Sequence, residues 1–343
     1  MELRPSFLRE QRVDRILLGH GSGGRLMHEL IKSQFSPAFG IEGSGDSAMV
    51  NVPSLRLAYT TDSYVVTPLF FPGGNIGELA INGTVNDLAV SGADPLYLSV
   101  GFVIEEGFLL SDLKKIITSM SSSAAKAGVK VVAGDTKVVN KGKADGIFIN
   151  TSGIGVLQDG RDISAARIGN GDKVIISGEV GSHGVAVMSE RNGLTFDPPV
   201  TSDTRPLNSL VEAMYRVSPK IHFMRDPTRG GLATTLKEAA LESRLCIRIN
   251  ESSLPIPQGV RGACSLLGLD PLYVANEGIL IAIVDAMVAD DMVNSMKRHE
   301  HGRDAAIIGE IYDTPQGGVL LETAIGGTRI IDMLQGEQLP RIC

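Results

Sequence analysis

Residues 55–63, which read LRLAYTTDS, show the pattern that decides the fold. There a strand-like run, Leu55–Tyr59, leads into a small polar cluster that holds one aspartate, Asp62. The same arrangement of an apolar run and an aspartate cluster returns in four other places: Gly45-Asp46-Ser47, Val85-Asn86-Asp87-Leu88, Ala133-Gly134-Asp135-Thr136-Lys137 and Met224-Arg225-Asp226-Pro227. Helical patterns such as Ile76–Ser91 lie between the strand-like runs without strict alternation. This mixture predicts an α+β fold rather than a doubly wound sheet.

The chain length suits about two domains. With 343 residues it exceeds an ordinary single core. The sequence turns polar and rich in Gly and Asp around Gln158–Gly171. We therefore predict an N-terminal domain of residues 1–158, a C-terminal domain of residues 159–334 and a tail, residues 335–343, that shows no periodicity.

Composition and charge exclude several classes of protein. The formal net charge is -7 and no Lys/Arg-rich stretch stands out, so nothing indicates binding to nucleic acid or to a membrane surface. No signal-peptide pattern is present, and no apolar run approaches the roughly 20 residues of a membrane helix. The 3 cysteines form neither a disulfide framework nor a zinc motif. A reducing cytoplasm is the expected setting.

The aspartate clusters suggest a metal site. Carboxylates at strand ends can converge on one rim of a sheet, where they repel one another unless cations lie between them. Such hard oxygen ligands suit Mg²⁺, which usually bridges to substrate phosphates. The alternative for each aspartate taken alone is a turn or a helix cap. The set of five favours a site for metal and phosphate.

Two glycine-rich segments are candidates for phosphate binding. The segment Gly19–Gly24 runs into a predicted helix, whose N–H groups could hold an anion, but it matches neither the P-loop nor the dinucleotide fingerprint. The alternative is a flexible entry loop. Arg229-Gly230-Gly231 is a second possible anion site, and its alternative is close packing of a helix on a strand.

The last residue is a cysteine. Cys343 follows an aperiodic tail whose extended length reaches roughly 25 Å, at about 3.3 Å per residue. Such an arm could present its thiol to an outside partner and then fold into an internal site. Arg341 would favour the thiolate and the terminal carboxylate would oppose it. The alternative is an incidental frayed terminus. Cys246 and Cys264 lie in apolar settings and are expected to be buried.

Together these features resemble the HypE-type hydrogenase maturation family, over essentially the whole chain. The motifs that carry the resemblance are Gly19-His-Gly-Ser-Gly-Gly24, the run TDSYVVTPLFFPGGNIG of residues 61–77, Gly83-Thr-Val-Asn-Asp-Leu88 and the ending Pro340-Arg-Ile-Cys343. The wider superfamily includes aminoimidazole ribonucleotide synthetase and selenophosphate synthetase, which share the aspartate pattern. The C-terminal tetrapeptide is the most specific of these marks.

The resemblance implies a fold and a set of ligands. The fold is two-domain and aminoimidazole ribonucleotide synthetase-like, its N-terminal domains pair through strands in a homodimer, and the tail is mobile. ATP and Mg²⁺ are implied near the N-terminal domains. The implied metal ligands are Asp46, Asp62, Asp87 and Asp226. The implied nucleotide-binding positions are Gly21, Gly23, Gly24, Thr61, Asn86, Asp135, Arg229 and Gly230.

The resemblance also implies a reaction sequence. HypF delivers a carbamoyl group to Cys343, ATP phosphorylates the carbamoyl oxygen, and loss of phosphate and protons leaves a thiocyanate. The cyano group then passes to iron on the HypC–HypD complex of [NiFe]-hydrogenase maturation. For the proton transfers we assign Lys137 and Glu277, and the alternative for both is an ordinary ion pair or loop charge.

Two rival functions stay open. One is a kinase or synthetase of the same superfamily that acts on a free small molecule. The other is a non-catalytic scaffold whose tail only docks on maturation partners. A docking tail has no special need for a thiol, so the terminal cysteine favours the dehydratase.

Overall fold

A computed structural model describes residues 24–30, 32–33, 48–52, 55–334, 339 and 341–343. Asp46, Gly21 and Gly23, which the resemblance assigns to metal and nucleotide binding, lie outside these residues. The described residues contain no helix with the length and apolar character needed to cross a membrane.

The first half of the chain forms a five-stranded sheet with the order β1-β2-β7-β5-β6. Neighbouring strands are antiparallel except for the parallel pair β5–β6. The elements of this half, with a two-stranded ribbon β3–β4, are α1 (Arg25–Leu30), β1 (Ala48–Val52), β2 (Leu55–Tyr64), β3 (Phe70–Phe71), β4 (Gly74–Asn75), α2 (Ile76–Val90), β5 (Ala93–Glu105), α3 (Leu110–Ala127), β6 (Lys130–Val139) and β7 (Ile147–Leu157).

The second half forms a seven-stranded sheet with the order β14-β13-β10-β12-β8-β11-β9. Its pairs are antiparallel except for β10–β13. Its elements are β8 (Lys173–Ile176), α4 (Ser182–Asn192), α5 (Asn208–Val217), β9 (Ile221–Arg225), α6 (Gly231–Ser243), β10 (Cys246–Asn250), α7 (Gln258–Leu267), β11 (Ile281–Val284), α8 (Ala289–Arg298), β12 (Ala306–Tyr312), β13 (Val319–Glu322) and β14 (Thr328–Ile331). Two such mixed units of helices and sheet confirm the predicted α+β class.

Helix α2 is the central support of the first half. It begins after Asn75, whose side chain accepts hydrogen bonds from the backbone N–H groups of Gly77 (2.8 Å) and Glu78 (3.4 Å), as expected of an N-cap. Nearly all of its residues are buried. A Cβ on Gly83 would lie 2.3 Å from the hydroxyl of Tyr64, so glycine is required where this helix crosses β2. The predicted helix Ile76–Ser91 is confirmed to within one residue.

The prediction that the aspartates stand at strand ends is only partly correct. Asp226 directly follows β9, as predicted. In contrast, Asp62 lies inside β2 and Asp135 inside β6, because both strands continue along their partners β7 and β5. Asp87 lies within α2 rather than after a strand.

The two faces of the first sheet have different surroundings. Side chains alternate between faces along a strand, so Thr60, Asp62 and Tyr64 of β2 point toward the buried side that α2 covers. Thr61 and Ser63 lie on the opposite face. This alternation decides which of the predicted polar residues meet.

Candidate active site

The C-terminus of the chain is docked along the end of β2. The backbone N–H of Val65 donates to the main-chain oxygen of Cys343 and that of Thr67 to the oxygen of Arg341, both at 3.2 Å. Ile342 is 2% exposed and packs in the same apolar core as Leu79 of α2. Burying a side chain of this size contributes about 1.5–3 kcal/mol. The last three residues therefore form part of the folded structure.

Two side chains of α4 hold the tail by its backbone. Arg191 donates from Nη2 to the oxygen of Arg341 and from Nε to the oxygen of Thr67, both at 2.8 Å. His183 donates from Nε2 to the oxygen of Ile342 at 2.7 Å, and its Nδ1 lies 2.8 Å from the hydroxyl of Ser202. Because a carbonyl can only accept, Nε2 carries the proton and Nδ1 accepts from Ser202. Burial lowers the pKa of His183, which keeps the ring neutral.

The thiol of the partly buried Cys343 faces two side chains of opposite charge type, the buried Glu277 and the partly buried Arg229. Burial raises the pKa of the Cys343 thiol well above its ordinary value, the Arg229 guanidinium opposes that rise, and the carboxyl of Glu277, which is hydrogen-bonded to the thiol, adds to it together with Asp62. The docked thiol is therefore protonated at neutral pH. The nearby Cys343 raises the pKa of Arg229, so this guanidinium stays positively charged.

Glu277 is 2% exposed, and hydrogen bonds from its backbone hold it in place. The N–H groups of Glu277 and Gly278 donate to the carboxylate of Asp203 at 3.2 and 3.0 Å. A Cβ on Gly278 would lie 1.7 Å from the Asp203 main-chain oxygen, so glycine is required at this approach. Burial raises the pKa of Glu277 well above the carboxyl range, with further contributions from Asp226, Asp203 and Asp62. Its Oε1 has no hydrogen-bond partner among the residues the structure describes.

Asn276 and Asn86 fix the loop that carries Glu277. Asn276 accepts from the N–H of Gly181 at 2.6 Å and donates to the oxygen of Pro227 at 3.0 Å, which ties this loop to the start of α4 and to the segment after Asp226. Asn86 donates to the main-chain oxygen of Glu277 at 3.2 Å and accepts from Leu207 N–H at 2.8 Å. Asn86, predicted as a nucleotide-binding residue, thus uses its amide to position Glu277.

The predicted metal ligands Asp62 and Asp87 lie on the same buried side. Tyr64 donates to Asp62 at 3.1 Å and Thr60 donates to Asp87 at 2.8 Å. Burial and the nearby charges of Asp62 and Asp87 raise the pKa of Tyr64, so its hydroxyl stays a donor. Within the described part of the chain no three His, Cys, Asp or Glu residues are grouped closely enough to hold a metal ion by themselves.

Arg229 stands at the start of α6, where two glycines allow close packing. Gly230 and Gly231 have positive φ angles of 80° and 60°. A Cβ on Gly231 would lie 2.6 Å from the oxygen of Leu272 and 2.7 Å from that of Val274. These glycines therefore allow α6 to pack closely on residues 272–274, which are not a strand, and a role of Arg229 and Gly230 in anion binding stays a prediction. Gly24, at the end of the first glycine-rich segment, is buried, and its oxygen accepts from His28 N–H at 3.2 Å.

The structure does not bring Lys137 to the thiol of its own chain. Lys137 is 71% exposed on the edge strand β6 and pairs with Asp135, also exposed, at 3.2 Å. Its neighbour Val138 is in register with the buried Ile104, so Lys137 and Asp135 point to the opposite face. Thr61 lies on that open face too, in hydrogen bonds with Ser152 and Asn150. The predicted site residues are thus divided between two faces of one sheet.

Sequence reasoning missed His183, Arg191, Ser202 and Asp203. His183, Arg191 and Asp203 bind main-chain groups of a distant segment, either the tail or the Glu277 loop, and Ser202 acts through the ring of His183. No sequence motif indicates such a contact, because nearly every residue has the same main-chain groups.

Comparison with known proteins gives matches along most of the chain. The family model described as AIR synthase related protein, N-terminal domain, matches residues 44–157, and the corresponding C-terminal domain model matches residues 169–322. A carbamoyl dehydratase HypE of Bradyrhizobium diazoefficiens is 53% identical over 330 residues, which is 95% of each chain.

Solved structures resemble the chain closely as well. The crystal structure of a HypE–HypF complex has a TM-score of 0.84 at 48% identity and covers 89% of this chain and 99% of that one. The crystal structure of hydrogenase maturation protein HypE in complex with ATP has a TM-score of 0.82 at 44% identity and covers 96% and 100%. Both domains and nearly the full length of these proteins are therefore present here.

Proposed function

Because the chain belongs to the carbamoyl dehydratase HypE family, we propose that it dehydrates an S-carboxamide on its own Cys343 to a thiocyanate at the expense of ATP. Family membership confirms the resemblance that the motifs carry. It also confirms the prediction that the protein is an enzyme that dehydrates a carbamoyl group. The observation that carries the mechanism is the buried contact of the Cys343 thiol with Glu277 beside Arg229.

The reaction removes one water from the carbamoyl group. The carbamoyl oxygen takes the γ-phosphoryl group of ATP, which turns a poor leaving group into phosphate. The C–O bond then breaks, the nitrogen gives up two protons and a C≡N bond remains on sulfur. The products are ADP, phosphate and the S-thiocyanate. A carbamoyl group on the docked Cys343 would project from the sulfur toward Glu277 and Arg229.

Glu277 is suited to take a proton from the carbamoyl nitrogen. Its buried position raises its pKa, so once ionised it is a stronger base than an ordinary carboxylate. Its backbone is fixed by Asp203 and Asn86, which keeps the carboxyl aimed at the thiol. Arg229 is suited to stabilise negative charge that develops on the carbamoyl oxygen, since its own charge is secure.

ATP and Mg²⁺ are proposed ligands of the acidic side of this site. A HypE structure is described as a complex with ATP. Burial, and after it the nearby aspartates, raise the pKa of Glu277 and of Tyr64. A divalent cation would relieve the repulsion among these carboxylates. Asp62, Asp87 and Asp226 are not grouped closely enough to hold an ion by themselves, so they would hold Mg²⁺ together with Asp46, from outside the described residues, and phosphate oxygens of ATP. When bound, the ion would neutralise phosphate charge during the transfer.

A homodimer paired through strands is proposed from the exposed edge of the first sheet. Its edge strand β6 exposes Val131, Val132 and Val138, at 46%, 62% and 68%. An edge strand with such apolar side chains is a ready surface for pairing. Lys137 lies on the open face of the first sheet, away from the thiol of its own chain. A role in the proton transfers therefore requires that the second subunit supply this lysine.

The proposed partners follow from the chemistry and from one relative. A HypE is described in complex with HypF, which we propose as the carbamoyl donor to Cys343. The HypC–HypD complex is proposed as acceptor of the cyano group. The tail must leave its docked position for each exchange, and a reactive thiol of this kind suits the reducing cytoplasm.

Intact-mass analysis tests the function. Carbamoyl transfer should add about 43 Da to the chain, and ATP should then remove about 18 Da, as the stoichiometry of a covalent intermediate requires. A Cys343→Ala chain should show neither change. If ATP turnover with a free small molecule survives in that variant, the synthetase alternative is correct. Partner binding without any ATP consumption would instead establish the scaffold alternative.

A further inference from the structure

The docked tail is bound by groups that belong to distant parts of the chain. Its main-chain oxygens accept from Val65 and Thr67 after β2 and from Arg191 and His183 of α4. These donors lie between residues 65 and 191, whereas the tail occupies residues 341–343. The contacts therefore resemble those between a protein and a separate peptide that adds to a strand.

The side chains of the tail meet matching surroundings. Ile342 enters an apolar core with Val66 and Ala275, and Arg341 forms an ion pair with Asp145. The thiol of Cys343 reaches Glu277 and Arg229. An acidic rim, an apolar pocket and a thiol site thus receive Arg341, Ile342 and Cys343 in that order, from the rim inward.

The tail backbone takes up a conformation that the groove must impose. Arg341 has φ 56°, in the left-handed region that a side chain other than glycine rarely adopts. Such a conformation persists where surrounding contacts determine it. Here the oxygen of Arg341 is held at once by Thr67 N–H (3.2 Å) and by Arg191 Nη2 (2.8 Å).

The peptide link to the domain mainly supplies proximity. A tethered ligand is present at an effective concentration of order millimolar, whereas its contacts are unchanged if the tether is cut. A free peptide with the same last residues at millimolar concentration should therefore compete with the tail for the same contacts.

We infer that the groove formed by Val65, Thr67, Asp145, His183 and Arg191 is a receptor for peptides that end in Arg-Ile-Cys, and that it accepts them as separate molecules. A peptide whose terminal cysteine carries an S-carboxamide is then a substrate that the enzyme dehydrates in trans. The second statement rests on the proposed function, and the first does not.

Displacement of the native tail tests the receptor. The probe is the free peptide acetyl-Leu-Pro-Arg-Ile-Ala, which has no thiol, added to the full wild-type chain in the presence of iodoacetamide. Occupation of the groove frees Cys343 from the burial that raises its pKa. Alkylation of Cys343, followed by mass analysis of the C-terminal fragment, should accelerate several-fold and saturate with peptide. The matched peptide with Asp in place of Ile should have no effect.

An alkylation rate that stays constant up to about 10 mM peptide, an order above the effective concentration of the tether, would overturn the receptor. The same holds if both peptides accelerate alkylation equally, since that result would mean non-specific opening. No variant is needed for this experiment, so a folding defect cannot obscure it.

Turnover in trans tests the substrate statement. The full chain with Ile342→Asp and Cys343→Ala, which vacates the groove and has no tail thiol, receives MgATP and synthetic S-carbamoyl acetyl-Leu-Pro-Arg-Ile-Cys. The peptide should lose about 18 Da, as dehydration requires, with one ADP formed per peptide. The Cys343→Ala chain, whose tail still competes, should turn over the peptide several-fold more slowly and serves as a second, conservatively changed enzyme.

The possible failures point to different causes. If the wild-type chain dehydrates its own tail, and the peptide displaces the tail but is not dehydrated by either variant, the substrate statement is wrong. If the wild-type chain fails to dehydrate its own carbamoylated tail, the proposed function is wrong, and displacement alone decides the receptor.

Discussion

Nε2 of His183 lies 2.7 Å from the main-chain oxygen of Ile342, so a buried histidine fixes the residue next to the reactive thiol. Arg191, on the same helix, holds the next carbonyl along the tail. Helix α4, in the second half of the chain, thus decides where the C-terminus lies against the first sheet.

Loss of the His183 contact should expose the thiol. His183→Ala removes a hydrogen bond to a buried carbonyl, which costs about 1–2 kcal/mol of docking free energy. The ratio of docked to undocked tail should therefore fall by roughly 5–30-fold. Alkylation of Cys343 by iodoacetamide should accelerate by a comparable factor. His299→Ala, at the residue that follows α8, is the matched control and should leave the rate unchanged. Equal rates for wild type and His183→Ala would show that the contact does not hold the tail.

Glu277→Gln should separate the two chemical steps. The amide keeps the shape of the carboxyl but cannot take a proton, so dehydration should fall by about 100-fold or more. Carbamoyl transfer to Cys343 should persist, because the thiol leaves the site to receive the group. Intact mass should therefore show the carbamoylated chain accumulating. Unchanged dehydration in single turnover would remove Glu277 from the mechanism.

Docking of the tail should weaken at alkaline pH. The pKa of the Cys343 thiol is raised in the docked state, so its contribution to docking is complete below the ordinary thiol pKa of about 8.5 and is lost as pH rises toward the docked value. Hydrogen exchange at Thr67, whose N–H is held by the tail, should report this release. Cys343→Ser, compared with wild type at each pH, should not show it. A parallel response in both chains would exclude the thiol as the cause.

Asp203 is predicted to position Glu277 and to tune its pKa. Asp203→Asn removes a nearby negative charge that raises the pKa of Glu277, so the rise of dehydration rate with pH should move to lower pH. It also weakens the bonds from the N–H groups of Glu277 and Gly278, which should lower the maximal rate by about 10-fold. A rate loss without any shift of the pH profile would indicate a structural role alone.

Lys137 is predicted to act on the thiol of the second subunit. Lys137→Ala chains retain the thiol and Cys343→Ala chains retain the lysine, so each should be inactive alone. Mixed dimers should regain activity, because the thiol of one chain meets the lysine of the other. The control mixes Lys137→Ala with a chain that carries both substitutions. Activity of Lys137→Ala by itself would make the lysine dispensable.

The sequence by itself determined the α+β class and the helix that ends near Val90. Through the family resemblance it also named Glu277 and Cys343 as candidates for the chemistry, and that role stays a prediction. Periodicity and helix caps are local, and the terminal cysteine is a chemical oddity that needs no structure to notice. Glu277 and Cys343 do lie in contact.

Only the tertiary structure decided which side of the first sheet each polar residue faces. Asp62 and Thr61 are adjacent in sequence, yet strand alternation places them on opposite faces, and Lys137 falls on the face away from the thiol. The groove that receives the tail was likewise decided by tertiary structure, because Arg191 and His183 bind main-chain oxygens, and a main-chain oxygen carries no sequence signal.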